Sequence, residues 1–502
     1  MNENKKVDFE EALEKAGFGL YSYMLTITTG LITIAFVCVA YGTTIIIPAS
    51  TCELETSVTQ RGFLAAGPII GLIIGGSLWG YMTDVFGRRF MLIISLLSAA
   101  GVNSLASISL NWIMLLCLQF LAAVLASGQY FQSLTMLSEC VPARKRNMVV
   151  LLASCWALLG QGIMAVLAIP IIPLTFSIPL PTLGIYWNSW RTLLMVYSVP
   201  SIVSAVWLGF MQESPKFMYS KGRVDEALQI LQKIHKINHL GSPEEFGIQA
   251  IARETPAKNT DQNTSKQHFL PLFKPPLLKS MLIITALFLF QQIGSFLIWF
   301  PTITNKIVEI VETGEGSDLT LCGVINASLH TPPDPNAVPC SINVTSMLIV
   351  FGLGVGHSIF NLFVSIVINR VGRRNMVIII ASVCGLCGIA VNLVHNVFAS
   401  GIFFLIFLFG IVVMGLYTAI AVSLFPTHLR ALAVSLSISG GRIGTFATVQ
   451  ILNQLLESNC EAGFYGFASI FASSAILAAF LADDRKAPEK NQSRDLTETS
   501  KL

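Results

Sequence analysis

Gly80-Tyr81-Met82-Thr83-Asp84-Val85-Phe86-Gly87-Arg88-Arg89 is a short hydrophilic turn between two apolar segments. Each of those segments is long enough to cross a bilayer. Glycine allows a sharp reversal and close helix approach. Asp84 is placed either to cap the helix that follows or to pair with an arginine. Arg88 and Arg89 belong in water and against anionic headgroups on the cytosolic side. A weaker copy follows later, as Ser365, Asn369, Gly372, Arg373 and Arg374, with the same spacing. Ser stands there for Gly80 and Asn for Asp84. The echo predicts a chain of two similar halves.

The chain has 502 residues, 53% hydrophobic and 12% charged. Soluble domains carry about a quarter charged residues, so this is an all-α, polytopic membrane protein. Twelve spans can be drawn, at 25–47, 61–82, 90–109, 112–136, 148–170, 191–211, 281–301, 346–368, 375–395, 400–424, 432–456 and 463–482. An even number puts both termini on one side. Of the 31 Lys and Arg, all but Arg61, Arg191, Lys306 and the intraspan Arg442 fall on the terminal side. The positive-inside rule makes that side cytosolic.

The expected organisation is a cytosolic segment 1–24, a six-helix half 25–211, a cytosolic loop 212–279, a second six-helix half 280–482 with an outer loop 302–345, and a cytosolic tail 483–502. Residues 1–23 lack the apolar core of a cleavable signal peptide. Phe9, Leu13, Ala16 and Leu20 recur at helical spacing, as do Ala227, Leu231 and Ile234 in the long loop. Residues 241–268 are poor in apolar residues and read as a flexible linker. Asn326 and Asn343 begin glycosylation sequons on the outer side, Asn343 close to the membrane. Asn263 and Asn491 match the same pattern but face the cytosol, where no glycan is expected. Cys52, Cys322, Cys340 and Cys460 are on the oxidising side, and proximity makes Cys322–Cys340 the expected disulfide. Cys384 and Cys387 form a CxxC inside a span, where small packing residues are commoner than redox or metal centres.

G-x-x-x-D-x-x-G-R-R after a second span, echoed after the eighth, resembles the major facilitator superfamily of secondary transporters. Glu139-Cys-Val-Pro142-Ala-Arg144-Lys145-Arg146 resembles the E-x-x-P-x-x-x-R element of sugar-porter-like members, with Ser423-Leu-Phe-Pro426-Thr-His-Leu-Arg430 as its counterpart. Gln212-Glu213-Ser-Pro-Lys216 resembles the P-E-S-P-R element after the sixth span. Asn188-Ser-Trp190-Arg191, Ser154-Cys-Trp156-Ala-Leu-Leu-Gly160, Cys52-Glu-Leu-Glu and Phe18-Gly19-Leu20-Tyr21 are similar to the synaptic vesicle glycoprotein two and SVOP-like branch. That branch lies near the sugar and organic-ion porters. The resemblance implies a major facilitator fold of two six-helix halves with a midplane site between them. Two departures stand out: Phe36 and Val39 occupy positions that are acidic in vertebrate members, and their much longer loop between spans seven and eight is missing.

A cytosolic charge gate is expected from Gly80, Asp84, Gly87, Arg88, Arg89, Glu139 and Arg146, with Gly372, Arg373 and Arg374 in the second copy; such a lock biases a two-state equilibrium. The rival reading of these residues is plain positive-inside anchoring. Of 28 Asp and Glu, none falls at membrane depth. Arg442 does, about 12 residues or roughly 18 Å into its span, so it is a site candidate. Two readings stay open for it: an anion-binding group, or a structural arginine satisfied by carbonyls. Gln291 and Gln292 offer donors and acceptors to a solute, or simply to a neighbouring helix. Trp156, Gln161, Trp299, Asn361, Gln129 and Gln132 are further cavity candidates. His357 is a deep group able to carry protons, although a lone helix His is more often a packing residue.

The expected function is secondary transport of a small polar solute, neutral or anionic. A transport-dead receptor or scaffold and an organic cation transporter are the alternatives. No enzyme, cofactor, metal site or nucleic-acid partner is expected, and the protein is expected to be a monomer in the plasma membrane or an intracellular vesicle membrane.

Overall fold

The computed structural model describes residues 7–182, 184–240, 246–252, 272, 274–275, 277–313, 318–330, 342–425 and 427–481. Cys340, Asn263, Asn491 and the tail from 482 lie outside the described residues, as do the side chains of Asn369 and Arg430. The order is α1 (Phe9–Ala16), α2 (Leu20–Tyr41), α3 (Thr43–Leu54), α4 (Val58–Phe86), α5 (Arg88–Leu105), α6 (Trp112–Ala126), α7 (Gln129–Cys140), α8 (Ala143–Ala168), a hairpin of β1 (Ile178–Leu180) and β2 (Ile185–Trp187), α9 (Ser189–Phe210), α10 (Pro215–Ser220) and α11 (Val224–Asn238). The second group holds α12 (Leu277–Phe290), α13 (Ile293–Thr313), α14 (Leu321–His330), α15 (Val344–Val371), α16 (Arg373–Ala390), α17 (Val397–Leu408), α18 (Val413–Leu424), α19 (Thr427–Ser458) and α20 (Cys460–Ala479).

Among the described residues eleven helical segments are long and apolar enough to cross a membrane: Leu20–Leu54, Val58–Phe86, Arg88–Ile108, Trp112–Cys140, Ala143–Ala168, Ser189–Phe210, Leu277–Glu309, Val344–Ile368, Arg373–Ala390, Val397–Leu424 and Cys460–Ala479. The remaining expected span is α19, a helix of 32 residues. It carries Arg442 within its length. Several segments are broken within their length. Gly42 separates α2 from α3, Gln291 and Gln292 separate α12 from α13, and a 3-10 turn at Phe409–Val412 interrupts α17 and α18.

Local chemistry sets the helix starts. Ser57 and Gln60 form a reciprocal capping box at α4. Asn111, Asn396 and Asn459 accept backbone N–H bonds at α6, α17 and α20. The two Gly-Arg-Arg turns share one backbone solution: Gly87 has φ 109° and ψ 148°, Gly372 φ 87° and ψ 148°. Side chains with a Cβ are strained at these angles, so glycine ends one helix and Arg starts the next.

The expected amphipathic segment at the N-terminus is α1, with Phe9, Leu13 and Ala16 buried, while Leu20 opens α2 and is exposed. Ala227, Leu231 and Ile234 are buried on α11 as their spacing predicts. The linker reading of 241–268 fails for part of its length. Phe246, Ile248 and Ile251 are buried, and Ile251 pairs with Val7 in a parallel bridge. Three apolar residues in seven suffice to anchor that strand-like segment. The outer loop also holds more structure than expected, because α13 runs on to Thr313 and α14 lies inside the loop.

The expected Cys322–Cys340 bond is a correction: Cys322 is joined to Cys460, with Cα atoms 5.6 Å apart. Cys460 opens α20 and packs beside α14, so spatial neighbours override the short sequence separation. Cys52 is disulfide-bonded as well.

Candidate substrate site and gates

The first Gly-Arg-Arg turn is the hub of a charge cluster. Arg88 Nε is 2.6 Å from Glu139 Oε2 and its Nη1 is 3.5 Å from Asp84 Oδ1. Ser214 Oγ donates to the same Glu139 oxygen at 2.6 Å. The start of α5 is capped by Glu213, which accepts from the N–H of Arg88 at 3.1 Å and of Arg89 at 3.0 Å. A carboxylate there also meets the positive end of the helix dipole. Asp84 therefore takes the pairing role and not the capping role. Arg89 Nε donates to Leu208 O at 3.0 Å and its Nη2 to Gly209 O, closing the C-terminus of α9.

Arg146 meets other partners: its Nε donates to Ser138 O at 2.8 Å and its Nη2 pairs with Glu10 at 3.2 Å. Glu10 also meets Lys216 Nζ at 3.4 Å. The reason is geometric: Arg88 already occupies Glu139, and α1 brings a fresh carboxylate over the start of α8. Asn238 fastens α1 to α11, donating to Ala16 O and Gly17 O at 3.1 and 2.9 Å. In the second turn Arg373 Nη1 donates to Ala419 O at 3.2 Å and Arg374 Nη2 to Ala479 O at 2.8 Å.

The two groups of helices meet along two seams. On α4 and α19, Arg442 Nη1 donates to Leu72 O at 2.9 Å, Asn453 Nδ2 to Val58 O at 2.6 Å, and Gln454 Nε2 to Thr59 Oγ1 at 3.1 Å. Arg61 and Glu457 close the end of that seam at 2.8 Å. On α8 and α15, a Cβ on Gly162 would lie 3.0 Å from Phe351 O, and one on Gly354 2.9 Å from Gly162 N. Only glycine permits that approach. Nearer the middle, Ser358 Oγ donates to Cys155 O at 2.8 Å and Asn361 Nδ2 to Cys155 Sγ at 3.6 Å. Toward the Gly-Arg-Arg end the α4 seam opens. A Cβ on Gly76 would still be 3.8 Å from Arg442 Nη1, whereas one on Gly80 would meet nothing within 4 Å.

The solute candidates divide between these seams and the interiors of the two groups. Gln161 Nε2 crosses from α8 to Leu297 O at 3.0 Å. Gln292 accepts from Thr448 Oγ1 at 2.6 Å and donates to Leu289 O. Gln291 points elsewhere, donating to Gly410 O at 3.0 Å, and His357 Nε2 lies 3.1 Å from Leu408 O. Both are buried, and both serve carbonyls at the 3-10 break of the tenth span. Trp299 Nε1 donates to Val449 O at 3.4 Å, and Trp156 stacks on Gly30, where a Cβ would lie 3.0 Å from its ring. Gln129 and Gln132 are buried, and neither amide has a partner among the described residues.

The sequence profile of the Major Facilitator Superfamily matches residues 32–330 and 341–501. The chain belongs to this superfamily. The mouse "Putative transporter SVOPL" is 24% identical over 499 residues, covering 96% of this chain and 91% of that protein. The Xenopus laevis "Synaptic vesicle 2-related protein" is 24% identical over 503 residues, covering 98% and 82%. The fold is similar to a partially occluded, inward-open conformation of the E. coli xylose transporter XylE, with a TM-score of 0.64 and 15% identity over 92% of this chain and 100% of that one. The nucleoside transporter NupG superposes with a TM-score of 0.57 at 11% identity over 91% of this chain and 98% of that one. The superfamily match and the SVOP-like relatives agree with the motifs, and no enzyme family is indicated.

Three carboxylates of this facilitator escaped sequence reasoning. Glu213 and Glu53 lie inside motifs already singled out, but the motif spacing does not say what they touch. Glu53 Oε1 meets Arg191 Nη2 at 2.6 Å and its Oε2 accepts from Trp190 Nε1 at 2.6 Å. The C-E-L-E and N-S-W-R stretches are thus two sides of one clamp. Glu10 carried no signal beyond its helix. The sequon residues are placed differently: Asn326 is exposed on α14, while Asn343 caps α15, its Oδ1 accepting from Thr345 N at 2.8 Å.

Proposed function

We propose that this facilitator moves a small polar organic solute, neutral or anionic, by rocking its two six-helix groups about a midplane site. The observation that carries the reading is the asymmetry of the seams. The groups touch from mid-helix to the Arg61–Glu457 end, and the α4 seam opens toward the Gly-Arg-Arg end. That is one arm of an alternating-access pair. Both termini are placed in the cytosol by the distribution of Lys and Arg, and the open end then faces inward. Asp84, Arg88, Glu139 and Glu213 form the hub of the inner gate. The membrane is the plasma membrane or a vesicle membrane, and the protein acts as a monomer.

The solute preference follows from charge. No carboxylate lies deep in a span, so an organic cation would find no counter-charge, and Arg442 would repel it. Arg442 keeps donor capacity beyond its bond to Leu72 O, because a guanidinium offers five N–H groups. The test is thermal stabilisation of purified protein by a panel of sugars, carboxylates and organic cations, with Arg442→Ala alongside. Stabilisation by a sugar or carboxylate that is lost in Arg442→Ala supports the reading. Stabilisation by cations alone, or gain of anion uptake in Arg442→Ala, breaks it. No stabilisation by any class favours a receptor or scaffold.

A further inference from the structure

Three cations stand at the end away from the Gly-Arg-Arg turns: Arg61, Arg191 and Lys306. They differ in how they are satisfied. Arg191 is held by Glu53 and by the carbonyls of Ser107 and Ser109 at 2.6 and 3.0 Å, and its side chain is 1% exposed. Arg61, at the start of α4, is held by Glu457 at the end of α19. Lys306 on α13 makes no hydrogen bond or ion pair among the described residues. It lines a pocket with Arg61, Glu457, Trp299, Thr302 and Asn453. Glu309 is exposed on the flank and does not line it.

Inside this pocket the balance is two cations against one carboxylate, and donors lack acceptors. Arg61 Nε and Thr302 Oγ1 are buried without a hydrogen-bond partner. Trp299 already spends its N–H on Val449 O, and Asn453 gives one of its two N–H groups to Val58 O. A buried donor left unmatched costs about 1–3 kcal/mol, and a carboxylate would satisfy several at once with charge-assisted bonds. We propose that this pocket is an anion-docking site at the outer mouth. A carboxylate-bearing solute seated between Lys306 and Arg61 competes with Glu457 for Arg61, and so unlatches α4 from α19. This rests on the orientation proposed above and narrows the solute class to anions.

The test uses Thr302→Cys in a Cys117→Ser background, in intact cells, with impermeant anionic and cationic methanethiosulfonate reagents added from outside. Rates are normalised to those with a free thiol. The anionic reagent should react at least about fivefold faster, the effect of one unit charge about 4 Å away in water. Lys306→Gln should erase that preference. Glu457→Gln should speed both reagents by releasing the latch. Equal normalised rates, a ratio that Lys306→Gln leaves unchanged, or no labelling in any variant would overturn the anion site. For protein that fractionates with the plasma membrane, labelling only after permeabilisation would overturn the orientation, and the outer location with it, while leaving the charge ratio measurable.

Discussion

The two Gly-Arg-Arg turns have nearly the same backbone but different residues around the arginines. Gly87 and Gly372 share ψ 148° and a positive φ, and each starts a helix at the next arginine. The second arginine has the same task in both. Arg89 caps the end of α9 through Leu208 O, and Arg374 reaches Ala479 O at the end of α20. The first arginine also reaches equivalent places, Arg88 toward α7 and Arg373 toward α18. What it meets there differs: the Glu139 carboxylate on α7, a backbone carbonyl on α18. The repeat has kept the hinge and the caps in both halves. Its carboxylates are Asp84 and Glu139 in the first copy, with Asn369 and Ser423 at the matching positions of the second. The proposed charge lock therefore has its carboxylates, Asp84 and Glu139, in the first copy.

Substitutions can break this comparison, the largest effect first. Glu139→Gln leaves Arg88 nearly buried without its main partner. Removing one member of a buried pair costs about 3–5 kcal/mol, so this variant should lose the most thermal stability in detergent. Ser423→Ala, its counterpart, should be close to neutral; equal losses would end the idea of a one-sided lock. Gly87→Ala and Gly372→Ala come next, about 1–3 kcal/mol each for the positive-φ backbone. Their melting shifts should match closely, because the hinge is shared. A Cβ at Gly87 would also lie 2.9 Å from Glu213 Oε2, so any imbalance should fall on the first turn.

Glu213→Gln should cost about 1 kcal/mol, since an amide still accepts from the α5 N–H groups but loses the charge–dipole gain. Its effect should shrink in high salt, which a melting series at two ionic strengths would reveal. Arg373→Gln should cost about 0.5–1.5 kcal/mol for the hydrogen bond to Ala419 O. A loss as large as that of Glu139→Gln would mean that the second turn carries a charge contact of its own.

Much of this architecture was legible in the order of residues. Bilayer thickness fixes span length, so apolar runs report helices directly. A positive-φ position demands glycine, so the Gly-Arg-Arg turns announce themselves. The distribution of Lys and Arg gives only an expected orientation. Short-range periodicity likewise gave α1 and α11. The site was less legible. Gln291 and Gln292 are adjacent, yet a helix break turns one toward the 3-10 segment of the tenth span and the other toward α19.

Tertiary packing alone decided the partners. Cys322 joins Cys460 and not its sequence neighbour, Arg146 takes Glu10 because Arg88 already holds Glu139, and Arg442 finds the carbonyl of Leu72 on the opposite group. Each choice depends on which helices lie side by side. Contact energies between residues far apart in the chain leave no periodic trace in it. The sequence sets what each segment is, through local backbone chemistry and the bilayer as solvent. The fold sets whom each charge meets, because a charge in a low-dielectric interior takes the nearest partner that close packing allows.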